Sequence, residues 1–359
     1  MDQLSNKLLF ALRERNLNFI SFFVMLFFTG CSQHLYVSMP DLAFVDSLKR
    51  EYHVPTIGVS IIQNGKIKQV KMFGNLPNGS PAPDNTLFNI ASLTKPLTAT
   101  TVLLLVSQGK WQLDEPLYHY WIDPEVAKDE RHKKLTTRHV LSHQSGLPNW
   151  RGHEPNGKLA FAFEPGTQWK YSGEGFEYLR QALEHKFKLP FERMVDSLLF
   201  KPLKMDDTRY YWDPSVDSSL YANRYHEDGT PYNLETWDSA NPSNLVLTTV
   251  DDYAKFGIGI MNGTILSPSV YKEMTTNQAM LPDNKEWGLS WRLVKHLSNG
   301  EYALVHTGGN PGLNTIIILL PVSKRGIVVF TNGAKGNLLY ESLIGEALDL
   351  GEEIIKKMK

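Results

Sequence analysis

The sequence predicts an α+β fold in which one antiparallel sheet is built from both ends of the chain and flanked by helices. Alternating, β-branched segments occur at residues 56–73 and return at residues 288–331. Between them, from Trp111 to Thr249, short helical periodicities alternate with long aromatic-rich loops and little strand pattern. Strands at both ends are most economically joined in a single sheet, with the helical block inserted beside it.

This pattern predicts three parts. Residues 1–30 would be a leader of the lipoprotein type, residues 31–91 and 250–359 would form the sheet domain, and residues 92–249 would form the mostly helical domain. A chain of 359 residues is long enough to bury a sizeable core.

The leader is predicted to be an export signal. Three basic residues precede the apolar run Phe19–Phe28, which is too short for a stable bilayer span, and Thr29-Gly30-Cys31 follow it. Small residues before the only cysteine resemble a bacterial lipoprotein processing site. Lipidation of Cys31 would anchor an exported protein to a membrane of the cell envelope, at its periplasmic or outer face. The alternatives are an uncleaved anchor and an idle thiol.

The remaining elements follow from periodicity and turn signals in chain order. Asn64-Gly65 is a strong two-residue hairpin signal between two alternating segments. The predicted helices are Pro40–Glu51, Thr137–His143, Glu174–Lys188, Pro190–Leu199, Val250–Met261 and Leu338–Lys357. The predicted strands are Thr56–Ile62, Lys66–Phe73, Gly288–Val294, Tyr302–Thr307, Thr315–Leu320 and Gly326–Thr331.

Composition and missing motifs exclude several classes of function. The 37 basic and 38 acidic residues are interspersed, so no basic stripe indicates nucleic-acid binding. The 11 histidines include no His-Glu-x-x-His, and no Gly-x-Ser-x-Gly is present, which argues against a zinc hydrolase and an α/β-hydrolase. We expect a monomer that uses neither metal nor cofactor and acts on a small-molecule or peptide substrate.

The candidate nucleophile lies at a helix start. Pro96 is tolerated only in a first helical turn, so the helix carrying Leu97–Val106 must begin near Ser92. Ser92 and Lys95 then lie one turn apart on one face, where an amine of lowered pKa can take the hydroxyl proton. The same spacing at Ser107/Lys110 and Ser269/Lys272 is interpreted as solvated helix surface.

Two further motifs come later in the chain. Tyr171-Ser172-Gly173 follows a Pro-Gly turn and precedes a helix. His306-Thr307-Gly308-Gly309 ends a predicted strand in glycines, where the backbone can approach a ligand and offer its amides. The turn His143–Pro148 is interpreted as a structural loop.

Together these motifs, in this order, resemble the serine β-lactamase/penicillin-binding superfamily, in the branch of class C β-lactamases, D-alanyl-D-alanine carboxypeptidases, D-aminopeptidases and related esterases. The resemblance covers residues 40–350 and implies a β-lactamase/transpeptidase-like fold. Ser92-Leu93-Thr94-Lys95 matches the family's Ser-x-x-Lys. The tripeptide from Tyr171 matches Tyr-x-Asn, with Gly173 in place of an asparagine whose amide binds the substrate's acylamide and steadies the lysine. The strand at His306 matches Lys/His-Thr-Gly.

The resemblance implies acyl transfer through an acyl-enzyme. Ser92 would attack an ester or amide carbonyl, while Lys95 and Tyr171 share the proton transfers, and either could be the base. His306 would hydrogen-bond toward Tyr171 or hold a substrate carboxylate. The amides of Ser92 and Gly309 would form the oxyanion hole, beside Thr307 and Gly308 at the substrate-binding edge.

The function predicted from the sequence is therefore an exported serine hydrolase, resembling an esterase or a D-Ala carboxypeptidase. The alternative is a catalytically weak penicillin-binding protein that senses cell-wall fragments, an idea supported by Gly173.

Overall fold

The computed structural model describes residues 35–359, and an eight-stranded antiparallel sheet lies at the centre of this part of the chain. The strand order is β2-β1-β10-β9-β8-β7-β6-β5. The strands are β1 Thr56–Gln63, β2 Lys66–Gly74, β5 Ala279–Leu281, β6 Lys285–Trp287, β7 Arg292–Val294, β8 Ala303–Asn310, β9 Leu313–Leu320 and β10 Arg325–Thr331. Two short strands, β3 Phe88–Asn89 and β4 Leu247–Thr248, pair separately. The predicted α+β class, with one sheet drawn from both ends of the chain, is confirmed.

The helices cover both faces of this sheet. They are α1 Leu42–Tyr52, α2 Thr94–Ser107, α3 Thr137–Leu141, α4 Glu174–Phe187, α5 Phe191–Val195, α6 Lys201–Leu203, α7 Val250–Met261, α8 Pro268–Thr275, α9 Gly336–Ala347 and α10 Gly351–Met358. A π-helical turn at Asp196–Phe200 joins α5 to α6.

The alternation of apolar residues along β9 divides the core into two clusters. Ile317 and Leu319 face the larger cluster, which includes residues of α2, α4 and α7. Ile316 and Ile318 face the smaller cluster, which is closed by α1, α9 and α10. Because successive side chains of a strand point to opposite faces, the apolar run at residues 316–320 of β9 serves both clusters. Residues Tyr36–Lys359 form one compact unit.

Two predicted elements are broken in the structure, and the bounds of several others differ from the prediction. The predicted strand Gly288–Val294 is interrupted by a turn, in which the Gly288 amide donates to the carbonyl of Trp291 (2.8 Å) and Ser290 has φ +66°. A side chain at residue 288 would meet the carbonyl oxygen of Met274 at 2.2 Å, so the chain must bend there. Alternation alone does not show this contact.

The predicted final helix Leu338–Lys357 is two helices. Leu348 is extended and bridges to Val37, which separates α9 from α10. Arg325 lies across this break, because its guanidinium donates to Asp349 (2.5 Å) and to the carbonyl of Tyr36 (2.8 Å). The apolar periodicity continues through the break, which is why the sequence suggested one helix.

The predicted leader and the lipidation of Cys31 lie outside the described residues. The division into residues 31–91 with 250–359 and residues 92–249 stays a prediction. Within residues 35–359, none of the helices has the length and apolar character that crossing a bilayer requires.

Candidate active site

A strained turn presents Ser92 at the start of α2. The Asn89 side chain accepts a hydrogen bond from the Ala91 amide (2.7 Å), and Ala91 has φ +47°. A left-handed non-glycine residue costs about 1–3 kcal/mol and is found mainly where the surroundings enforce it. A 3-10 turn, Ala91–Leu93, leads into α2, with Pro96 in its first turn as expected. The hydroxyl is thereby fixed at the helix start and remains partly exposed.

Lys95 lies fully buried beneath this serine. Its Nζ donates to Ser92 Oγ at 3.2 Å and to the carbonyl oxygen of Ser243 at 2.9 Å. The same nitrogen lies 4.7 Å from the centre of the Tyr171 ring. None of the ion pairs between described side chains involves this lysine, and burial is the one cause of its pKa shift. Burial therefore lowers the pKa of Lys95 to about 7, so the amine can be neutral near neutral pH.

The two other Ser-x-x-Lys pairs lack this environment. Lys110 and Lys272 are exposed, as is Ser269. Ser107 Oγ accepts a hydrogen bond from the Ser267 amide (3.1 Å) at the end of α2. Ser269 and Lys272 lie on the surface of α8, whereas Lys110 lies in the exposed turn that follows α2 rather than on a helix.

Tyr171 is held from both sides by His143. The Lys170 amide donates to the carbonyl oxygen of His143 (2.8 Å), and the Ser172 amide donates to its Nδ1 (3.2 Å). The imidazole and phenol rings lie against each other, with centroids 4.2 Å apart. His143 has φ +57° directly after α3, which turns its ring toward Tyr171. The loop interpreted as purely structural therefore contributes a residue that positions the phenol.

The two candidate bases differ in their pKa shifts. Burial raises the pKa of Tyr171 above its usual value, opposed by a hydrogen bond with the Ser92 hydroxyl. Burial lowers that of Lys95 to about 7. A general base is most effective when its pKa lies near the operating pH, so the electrostatics of the site favour Lys95 as the base and Tyr171 as a protonated phenol.

The end of β8 forms an open strand edge beside Ser92. Pairing with β7 ends at Val305, which lies opposite Arg292, so no described strand pairs with β8 on that side from His306 onward. On its other side, β8 stays paired with β9 as far as Asn310. A Cβ at Gly308 would lie 2.3 Å from the Ile90 carbonyl oxygen and 3.1 Å from the Ser92 amide nitrogen. This glycine therefore allows the strand to pass close to the Ser92 turn.

His306 is a neutral imidazole with a defined tautomer. Its Nδ1 donates to the carbonyl oxygen of Thr307 (2.9 Å), which leaves a lone pair on Nε2. Burial, reinforced by the charge of Lys95, lowers the pKa of His306 to about 3, although the bond to Thr307 opposes the shift. Two roles were expected for His306: a hydrogen bond toward Tyr171 or the binding of a substrate carboxylate. The accepting Nε2 suits the first role, whereas a carboxylate, which also only accepts, would find no donor there.

Gly173 lies where the family has asparagine, and no side chain fits there. A Cβ at this position would lie 2.7 Å from the Asn149 carbonyl oxygen, 3.1 Å from Ser243 Oγ and 3.1 Å from Trp150. The Gly173 amide also donates to the same Asn149 oxygen (3.2 Å). The carbonyl of Ser243, rather than a side-chain amide, holds the lysine.

These residues surround one cavity of ≈ 380 Å³. Ser92, Tyr171, His306, Thr307 and Gly309 line it directly. Lys95 lies behind Ser92, and Gly308 packs against Ile90. The structure thus brings together the side chains and strand edge that the sequence scatters. The other lining residues are Asn149, Trp169, Leu281, Trp287, Arg292, Val305 and Met358.

Several of these lining residues were not predicted from the sequence. Trp287 packs against His143 (centroids 5.1 Å) and His306 (5.7 Å). Arg292 donates to the carbonyl of Met358 (2.5 Å), and burial lowers its pKa; within the described chain it has no carboxylate partner. A half-buried cation that has no ion pair with any described carboxylate is visible only once the sheet register is known. Asn149, directly after the His143–Pro148 turn, could have been noted as a polar residue beside a motif.

No group of three His, Cys, Asp or Glu side chains within residues 35–359 is arranged to hold a metal ion. The described site contains a serine hydroxyl, a buried amine, a phenol and backbone amides.

Comparisons with known proteins identify relatives of this chain. A penicillin-binding protein of Bacillus subtilis (strain 168) is 25% identical over 312 residues, covering 77% of this chain and 67% of its own length. Esterase EstB of Burkholderia gladioli is 28% identical over 221 residues, covering 53% of this chain and 55% of that protein. This chain thus spans between about half and two thirds of these relatives.

Among solved structures, D-alanine carboxypeptidase AmpC from Burkholderia cenocepacia superimposes with a TM-score of 0.70 at 21% identity, covering 85% of this chain and 99% of that one. The fold is therefore the β-lactamase/transpeptidase fold. Residues 43–351 match the family described as Beta-lactamase. Because this match covers most of the chain, the chain belongs to the beta-lactamase family.

Proposed function

We propose that this protein is a serine hydrolase that cleaves esters or amides through an acyl-enzyme on Ser92. The observation that carries the proposal is the buried Lys95 amine, whose pKa is lowered to about 7 and whose Nζ lies 3.2 Å from the serine oxygen. A nucleophile with an amine poised to take its proton is the minimum that acyl transfer requires.

In the acylation step, a substrate carbonyl enters the cavity over Ser92. Ser92 Oγ attacks the carbonyl carbon as its proton passes to Lys95 Nζ. The oxyanion that forms is stabilised by the amides of Ser92 and Gly309 beside the open edge of β8. Donors of this kind contribute about 3 kcal/mol each to the transition state.

Collapse of the tetrahedral intermediate then requires a proton for the leaving group. The Tyr171 phenol hydrogen-bonds Ser92, and Lys95 Nζ lies 4.7 Å from the centre of the Tyr171 ring. The phenol is therefore placed to deliver that proton to the leaving group and to be reprotonated from Lys95. Water attacks the acyl-enzyme by the reverse route and releases the acid. No cofactor takes part in this scheme.

A labelled fluorophosphonate together with p-nitrophenyl esters tests the proposal. We expect the wild type to be labelled and to turn over short esters, and Ser92→Ala to do neither. A permanent adduct with no turnover would instead support the alternative, a catalytically weak penicillin-binding or sensor protein. Labelling that survives in Ser92→Ala would contradict the proposal.

A second candidate within this chemistry is a D-amino-acid carboxypeptidase. Arg292 lines the cavity without a carboxylate partner in the described chain, and it could receive the terminal carboxylate of a peptide. Acyl-D-Ala-D-Ala and its C-terminal amide distinguish the two candidates. Hydrolysis of the free acid only, lost in Arg292→Gln, would support the carboxypeptidase; equal hydrolysis of both would favour the esterase.

We further propose that the protein is exported and anchored by lipid on Cys31, as a monomer at the periplasmic or outer face of the cell envelope. The sequence pattern before Cys31 supports this. We expect the protein to incorporate labelled palmitate in bacterial cells and to be recovered in the membrane fraction. Cys31→Ser is expected to lose both the label and the membrane association. Light scattering of a chain starting after Cys31 tests the monomer.

A further inference from the structure

The carbonyl that holds Lys95 belongs to a segment without regular secondary structure. Residues 241–245 form a turn before β4, and no backbone-to-backbone hydrogen bond within the described chain involves them. Leu245 has φ +75°, a conformation that a non-glycine residue adopts mainly where its surroundings enforce it. The position of the Ser243 carbonyl therefore depends on the side chains that hold this segment.

The face of α2 that carries Lys95 also holds this turn. Thr98 is fully buried, and its Oγ1 donates to the carbonyl oxygen of Pro242 at 2.6 Å. Lys95 Nζ donates to the next carbonyl, that of Ser243, at 2.9 Å. Residues three apart are neighbours on a helix surface, so Thr98 and Lys95 bind two successive carbonyls of one turn.

Tyr210 fixes the direction of the hydrogen bond from Thr98. The phenol oxygen lies 3.2 Å from Thr98 Oγ1. Because the Pro242 carbonyl can only accept, Thr98 gives its proton to that bond and accepts the proton of the phenol. Burial raises the pKa of Tyr210 above its usual value, which keeps the phenol protonated. The donors therefore run in one direction, from Tyr210 through Thr98 to Pro242, and each bond of such a chain polarises the next.

We propose that Thr98 is a positioning residue of the hydrolase site, which acts on Lys95 through the turn at Pro242 and Ser243. The inference rests on the proposed function and deepens it, because it assigns how the amine of that site is kept in place. Both turn residues are buried, so the turn covers Lys95 Nζ on this side and keeps water away from it. Without the Thr98 hydroxyl, the Pro242 carbonyl loses its donor, the turn moves away from α2 and water reaches the amine.

The pH dependence of Ser92 labelling reports this exposure of Lys95. Three other titratable groups face the amine, namely Tyr171, His143 and His306. Burial raises the pKa of the phenol and lowers the pKa of both imidazoles, that of His306 to about 3, so all three stay neutral between about pH 5 and 9. An amine that water reaches loses part of its desolvation, and its pKa moves from about 7 toward the usual 10.5.

Three threonine variants, labelled with a fluorophosphonate across this pH range, test the proposal. Thr98→Val keeps the shape but lacks the hydroxyl, and it is expected to shift the midpoint of the profile upward by about one pH unit. Labelling would then be about tenfold slower than in the wild type at pH 6 and within about twofold of it at pH 9. Thr98→Ser, which keeps the hydroxyl, is expected to restore the wild-type profile. Thr101→Val is the matched control, because Thr101 is equally buried on α2 but donates to Leu97 of the same helix.

A merely structural role would give a different result. A rate that falls by the same factor at both pH values, or a Thr98→Val profile that matches that of Thr101→Val, would overturn the role of Thr98 and leave the proposed function intact. If circular dichroism shows that Thr98→Val does not fold, Tyr210→Phe decides, because it removes the donor to Thr98: an upward shift of the midpoint supports the role, and an unchanged midpoint overturns it. If the wild type is not labelled, the proposed function fails and this inference fails with it.

Discussion

The Nζ of Lys95 donates to the carbonyl oxygen of Ser243 at 2.9 Å, across 148 residues of sequence. This bond orients the amine toward Ser92 without adding a negative charge beside it. An anionic partner would raise the pKa of the lysine, whereas a neutral carbonyl holds the lysine and leaves burial free to lower it. The arrangement is suited to an amine that must give and take protons near neutral pH.

The first prediction concerns pH. Below pH 7 the neutral fraction of Lys95 rises about tenfold per pH unit and levels off above its pKa of about 7. We therefore expect the rate of fluorophosphonate labelling to rise between pH 5 and 7 and to become constant above about pH 8. A rate that falls with rising pH would mean that the protonated amine is the active form.

The second prediction concerns stability. Unfolded, Lys95 has the ordinary pKa near 10.5, whereas folding lowers it to about 7, so the unfolded chain binds more protons between these values. The contribution of Lys95 to the free energy of unfolding thus increases as pH rises from 7 to 10.5. Below pH 7 the full destabilisation from burying the charged amine is present. Lys95→Met should stabilise the fold by roughly 2 kcal/mol at pH 6 and less at pH 9, while abolishing activity.

Urea unfolding of both proteins at the two pH values measures this difference. Lys95→Met also loses the hydrogen bond to Ser243, which offsets part of the stabilisation at both pH values. The informative quantity is therefore how the difference in unfolding free energy between the two proteins changes with pH. A difference independent of pH would show that the folded protein does not lower the pKa of the lysine.

The third prediction concerns His143. His143→Phe keeps a ring against Tyr171 but removes the Nδ1 acceptor of the Ser172 amide, so the phenol should be less well placed. We expect kcat to fall about tenfold with KM nearly unchanged. The matched control is His185→Phe on the exposed surface of α4. If KM rose and kcat were unchanged, His143 would bind substrate instead of positioning the phenol.

The fourth prediction concerns Gly173. Gly173→Ala places a methyl group 2.7 Å from a backbone oxygen of Asn149, which cannot move as a flexible side chain could. A destabilisation of about 1–3 kcal/mol is expected from such overpacking. Gly152→Ala is the control, since a Cβ there would meet no atom within 4 Å. Equal unfolding free energies for the two variants would show that the residues around position 173 shift to accommodate a side chain.

Much of the fold could be predicted because local rules determined it. Asn64 and Gly65 both adopt positive φ, as a two-residue hairpin turn requires, and the flanking strands differ from the prediction by one residue each. The Val250–Met261 helix has the predicted bounds, with Thr249 as its cap. The exceptions, at Gly288 and Leu348, arise from contacts with residues distant in sequence.

The site could be predicted only in part for the same reason. Pro96 fixes the helix start locally, so Ser92 and Lys95 could be located from sequence spacing. The selection of Ser243 as the lysine's partner depends on a loop that folds back from elsewhere, and the carbonyl of Asn149 packs against Gly173 from another loop. Neither relation has a local sequence signal, because each is a contact between segments that only the folded sheet and helices bring together.

The central claim is that Ser92 is the nucleophile of the described cavity. Its most direct test is to treat the protein with a fluorophosphonate, digest it and map the adduct by mass spectrometry. We predict a single adduct on the peptide that contains Ser92, absent from Ser92→Ala and from Lys95→Met and retained in Ser107→Ala and Ser269→Ala. An adduct on another serine, or one that persists in Ser92→Ala, would contradict the claim.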